Sequence, residues 1–185
     1  DEASLLSNYI INYDPDLIIV WYFLNDIQVG GTISYLEPQE SKLPAFMNRL
    51  AIFETLGRAV NTLSSREEFV STYTNGYSGI EWNATSQALQ LMAATANAND
   101  LEILLFVHPV LFNLSNYPFD DIHNQVLNTT IDLGFVSTDL RPAFHGYNDF
   151  ELWVHESDQH PNEIAHQLAA EYTYSNISDH INCKD

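Results

Sequence analysis

Eight apolar residues run without a break from Leu17 to Leu24, between Asp14-Pro15-Asp16 and Asn25-Asp26. A short, β-branched, uninterrupted run bounded by turn formers reads as a strand buried on both faces, the pattern of a parallel sheet. A second run, LEILLFVHP, extends from Leu101 to Val107 and is ended by Pro109, and a weaker third lies around Gly134 to Thr138. Helical periodicity fills the gaps. Ala88, Leu91, Met92 and Ala96 share one face before the second run, and Ile122, Val126 and Ile131 roughly share another before the third. A last helix is expected to start at Pro161, with Ile164, Leu168 and Tyr172 at i, i+4 and i+8. Strand and helix in alternation predict a single α/β domain with right-handed crossovers. The first strand, apolar on both faces, is expected to be internal, with hydrogen-bonded neighbours on both sides.

Residues 27–80 break the rhythm. They begin polar and then give LPAFMNRLAIFETLGRAVNTL, a helix whose apolar positions wrap wider than one face requires. It reads either as a helical insertion capping a pocket or as an ordinary packing helix.

Composition sharpens this picture. The 185 residues suit one filled core, and 45% hydrophobic content argues for a globular chain. Against 25 Asp and Glu there are 6 Lys and Arg, a formal net charge of −19. Such a field repels phosphate backbones and anionic lipid, so no nucleic-acid partner is expected. No apolar run reaches the ~18 residues of a membrane span. Cys183 is the single cysteine, which excludes an internal disulfide and reads as a bystander thiol. Asn-x-Ser/Thr sequons at Asn83, Asn113, Asn128 and Asn176 lean towards an exported glycoprotein, extracellular or periplasmic.

Two places carry candidate chemistry. Ligands of an open parallel sheet bind beyond the carboxyl ends of its strands, and Asn25-Asp26 stand there after the first run. An Asn in that position can donate an N–H to a developing oxyanion. In ESDQHPNEIAH, Asp158 and His160 stand two residues apart beside the expected start of the last helix. The helix terminus favours neutral imidazole and the carboxylate favours imidazolium, the balance a general base needs. His155, Asp158, His160 and His166 are close in sequence. His160 and His166 are too far apart along a helix to serve one ion, so neither metal nor cofactor is expected.

The motif FLND after the first strand and DQHPN before the last helix, with FVHPVLFNL and LGFVSTDLRPAFHG between, resemble the conserved blocks of the SGNH (GDSL) hydrolase superfamily. The likeness spans Tyr13 to about Ile177. It implies a three-layer α/β/α sandwich with a parallel sheet, and ester hydrolysis or acyl transfer, with O-acetylated carbohydrate as one substrate class. On that likeness Asn25 is the oxyanion-hole residue, His160 the general base and Asp158 the acid that orients it.

The chain departs from the family pattern in three ways. Phe23 occupies the Gly position of G-x-N-D, and D-x-H replaces D-x-x-H. The family's G-D-S nucleophile block and its Gly block have no counterpart: no Gly precedes Asn25, Ser4 and Ser7 sit on an expected helix, and Ser78 in NGYSG reads as a surface turn residue. The resulting expectation is a chain lacking its first strands, whose nucleophilic Ser comes from a missing upstream segment acting as partner. The alternative is a non-catalytic carbohydrate- or partner-binding module on the same scaffold.

Overall fold

The computed structural model describes residues 2–27, 66–156 and 158–178. The apolar segment 43–63, His180 and Cys183 lie outside them.

Three strands form the main sheet: β1 (Leu17–Phe23), β2 (Glu102–His108) and β3 (Val136–Asp139), in the order β1-β2-β3 and parallel throughout. Leu17 lies opposite Glu102 and Phe23 opposite His108, so β1 and β2 end level with each other. That register sets Leu24 and Asn25 beside Pro109 and Val110.

Side-chain alternation along β2 feeds two cores on opposite faces of the sheet. Ile103, Leu105 and Val107 join Ala3 and Leu6 of α1 (Glu2–Asn8) and Phe69, Tyr73 and Tyr77 of α2 (described over 66–78). The same core takes the inner faces of α3 (Ile80–Ala98) and α4 (Asp120–Asp132). Leu104 and Phe106 pack instead with Leu152 of α5 (Asp149–Leu152), Trp153, and Ala165 and Ala169 of α6 (Glu163–Ile177). Between α5 and α6 a small antiparallel pair, β4 (Trp153–His155) and β5 (Asp158–Pro161), folds over the carboxyl end of the sheet. The mixed α/β class with a parallel sheet is therefore as expected. Among the described residues, no helix is long and apolar enough to cross a membrane.

Several sequence expectations are corrected. Among the described residues β1 lies at a sheet edge, and Ile19 keeps 45% of its surface exposed; the interior strand is β2, buried from Ile103 to His108. The last helix starts at Glu163, not Pro161, because Asn162 Oδ1 accepts the Ile164 and Ala165 N–H groups at 3.0 and 3.1 Å and so caps it. Pro161 and His160 belong to β5.

The buried helix faces are also shifted. Helix α6 buries Ala165, Ala169, Thr173 and Ile177, while Ile164 faces water. Helix α3 buries Leu89, Met92, Ala93 and Ala96 and exposes Leu91. In α4, Thr130 takes the place expected of Ile131, with its hydroxyl 2.9 Å from the Val126 carbonyl and 2.7 Å from Ser137 Oγ. Ile131 lies five residues beyond Val126, about 140° round the helix, and points outward. Ser78 ends α2 instead of sitting in a turn; its hydroxyl donates to the Thr74 carbonyl at 3.0 Å.

Candidate functional site

A cleft of about 360 Å³ opens beyond the carboxyl ends of β1 and β2. Phe23, Leu24, Asn25 and Asp26 line it from β1, and His108, Pro109, Val110 and Leu111 from β2. Gln159, His160 and Pro161 close it from β5, with His166 of α6 and Tyr73 of α2. Asn25 and His160, far apart in sequence, thus line one cavity. Asp158 is not among the lining residues; it stands behind His160.

The turn carrying Asn25 is anchored on two sides. Asp26 Oδ2 accepts the Phe23 N–H at 2.8 Å, bridging the single 3₁₀ turn that follows β1. From below, the buried Tyr77 hydroxyl donates to the Leu24 carbonyl at 3.0 Å and lies 2.8 Å from the Tyr22 hydroxyl. Burial pushes both phenols above the ordinary tyrosine range. Asp26 is exposed as a residue and lines two cavities, one on each side of the turn, with its carboxyl partly taken out of water. That removal from water outweighs the Phe23 donor and pushes the group up to about 6.

His160 and Asp158 meet because both lie on β5, where residues two apart point to the same side. That is why a D-x-H spacing suffices here. His160 Nδ1 is 2.5 Å from Asp158 Oδ1, and the His160 backbone N–H donates to the same oxygen at 3.2 Å. The hydrogen bond from the imidazole holds the Asp158 carboxyl below the usual carboxylate range. Both side chains are open to water, 71% exposed for His160 and 46% for Asp158.

Four polar lining residues were given no role by the sequence reading: Tyr73, His108, Gln159 and His166. A signal existed for His108, since strand alternation places it on the Phe106 side of β2, at the strand's end. Its ring stacks on Phe23 with centroids 4.6 Å apart and meets Phe144 at 5.2 Å.

A second His–Asp pair also went unread. His123 of α4 is fully buried, and its Nε2 lies 2.9 Å from Asp139 Oδ1 at the end of β3, a close but poorly aligned contact. Asp139 was expected only to cap a turn. It does accept the Arg141 N–H at 2.8 Å, but it also receives the Arg141 guanidinium at 2.7 and 2.8 Å. Arg141 reaches Asp120 as well and lies over the Tyr117 ring at 5.5 Å. Partial burial pushes Asp139 up, but His123 and Arg141 outweigh it and hold its carboxyl well below the usual range.

Among the described residues no Ser, Thr or Cys lines the cleft, and no group of three His, Cys, Asp or Glu side chains is arranged to hold a metal ion. Ser4 and Ser7 lie on α1 and Ser78 at the end of α2. Comparison with protein-family models, with curated proteins and with solved structures gave no significant match.

Proposed function

We propose that this chain is the base-and-oxyanion portion of an SGNH-type ester hydrolase or acyltransferase with a three-layer α/β/α fold. The carrying observation is that Asn25 and His160 line one cleft, with Asp158 on the Nδ1 side of His160. A Ser supplied by an upstream segment attacks the ester carbonyl. His160 takes its proton through Nε2, since Nδ1 is committed to Asp158, and Asp158 stabilises the imidazolium that forms. Asn25 Nδ2 donates to the tetrahedral oxyanion. His160 then returns the proton to the leaving alcohol, and water releases the acyl group. No cofactor enters these steps. Sequons on the exposed Asn83, Asn128 and Asn176 support an exported, extracellular or periplasmic protein. Hydrolysis of 4-nitrophenyl acetate by natively purified protein tests the reading: His160→Ala should abolish it and Asn25→Ala should lower it by on the order of 10²-fold.

A second reading, a non-catalytic carbohydrate- or partner-binding module, is favoured by the lack of a nucleophile among the described lining residues. It predicts that His160→Ala leaves ligand binding intact and that the wild type has no esterase activity to lose.

A further inference from the structure

The two halves of the cleft come from separate parts of the fold. Asn25 follows β1, and the β1–β2 register seats it beside the loop that leaves β2 at Pro109. His160 comes from the β4–β5 hairpin, in which Trp153 pairs with Pro161 and His155 with Asp158. The spacing between Asn25 and His160 is therefore set by whatever fastens the hairpin to that loop. The Trp153 indole N–H does so directly: it donates to the Leu111 carbonyl at 2.6 Å, a buried bond, and Leu111 itself lines the cleft. Asp149 of α5 braces the same loop, accepting the Asn113 N–H and, at 3.0 Å, the Leu114 N–H. On the hairpin's other side Asn162, two residues beyond His160, returns to the same place. Its Nδ2 donates to the Glu151 and Trp153 carbonyls at 2.9 and 3.0 Å, and its backbone N–H to the Leu152 carbonyl at 2.9 Å.

Trp153 is 7% exposed and packs with Leu104, Phe106 and Leu152. Packing alone does not account for an indole there. Its ring N–H is a donor that must find a partner once buried, a demand that Phe or Leu would not make. The partner it finds is a carbonyl of the cleft wall. We infer that Trp153 is a positioning residue: its indole N–H fixes the His160 hairpin against the Leu111 wall and so sets where His160 stands relative to Asn25. Asp149 steadies the loop from the neighbouring helix, whereas Trp153 belongs to the hairpin that carries His160. The placement stands on these hydrogen bonds alone; its consequence for rate rests on the ester chemistry proposed above.

The test compares natively purified wild type with Trp153→Phe, which keeps an aromatic ring in the core and removes the donor. Amide hydrogen exchange should quicken by roughly 5- to 10-fold at Asn162 and along β4 while β2 exchanges as before. With 4-nitrophenyl acetate, kcat should fall by on the order of 10- to 10²-fold, the cost of a misplaced base, with KM moved by less than about 2-fold. Ile177→Val, which trims the same core at the far end of α6, should leave kcat unchanged. Hairpin exchange that matches wild type, exchange that quickens equally in β2, or an unchanged kcat in an active protein each overturns the inference. Should Trp153→Phe not fold, Trp153→benzothienylalanine, which swaps the N–H for sulfur at nearly the same shape, takes its place. The two claims fail separately: a wild type without hydrolysis sinks the esterase reading, and the exchange pattern alone then decides whether the indole fixes the hairpin.

Discussion

Among the described residues two His–Asp pairs are built from the same chemistry and set in opposite surroundings. His123 and Asp139 meet in the interior, on α4 and β3, with His123 wholly enclosed and Asp139 also gripping Arg141. His160 and Asp158 meet on a two-stranded hairpin at the surface, with both side chains open to water. In the interior pair His123 is fully enclosed and Asp139 three-quarters so, and the carboxylate's firm partner is Arg141, which it holds at the end of β3. At the surface, water screens the charges and the pair contributes little to stability. What it gains is access: the His160 ring lines a cleft, as the proposed general base must. Proximity of an Asp to a His therefore does not identify a general base; the surroundings of the pair do.

Four experiments press on that contrast. The largest effect is expected for His160→Ala, which should cut ester hydrolysis by natively purified protein by on the order of 10³- to 10⁴-fold while leaving the urea midpoint where it was. An unchanged rate would remove the distinction between the pairs. Asp139→Ala should do the reverse: urea denaturation should show a loss of about 1 to 3 kcal/mol, because Arg141 loses its partly buried carboxylate partner and His123 its neighbouring charge. Its stabilising charge also has a pH signature. A carboxyl held below its usual range contributes stability that is present above about pH 4 and is lost as acid protonates it, so wild type and variant should converge at low pH.

Tyr77→Phe is next in size. It removes the donor to the Leu24 carbonyl and the contact with Tyr22, at a cost of about 1 to 2 kcal/mol, and by loosening the Asn25 turn it should lower kcat more than it raises KM. The smallest effect is expected at Asp26. Its folded value of about 6 lies above the ordinary 3.9 or so, so folding favours the protonated form, and that contribution fades as pH rises from about 4 to about 6. Asp26→Asn should flatten the stability profile in that window; a profile identical to wild type would contradict the enclosure described for this carboxyl.

Much of this was legible in the chain. The three apolar runs are the three strands, displaced by no more than two residues at either end, because continuous β-branched runs have few other ways to be buried. Strand rank was not legible. LIIVWYF looks as internal as EILLFVH, but which of them is flanked on both sides depends on pairings that composition does not encode. Helix faces were misplaced for a different reason. Searching for Leu and Ile picks the bulkiest residues, whereas α6 buries Ala165 and Ala169 in the core that takes Leu104 and Phe106 of the sheet, and α4 uses Thr130 to reach Ser137. In the site, Asn25 could be read because it follows an unbroken apolar run, and Asp158 with His160 because the spacing of two matches an extended strand. His123 in DDIHNQV gave no such cue, since its partner lies in another element. Of the cleft's remaining wall, Tyr73 and His166 arrive only through packing.

The most direct test of the central claim is fluorophosphonate labelling of the natively purified protein, wild type beside His160→Ala, followed by peptide mapping. The account predicts label on a single Ser in a co-purifying upstream segment, largely lost in the variant. Labelling that is absent with that segment present, or that persists unchanged without His160, would contradict it.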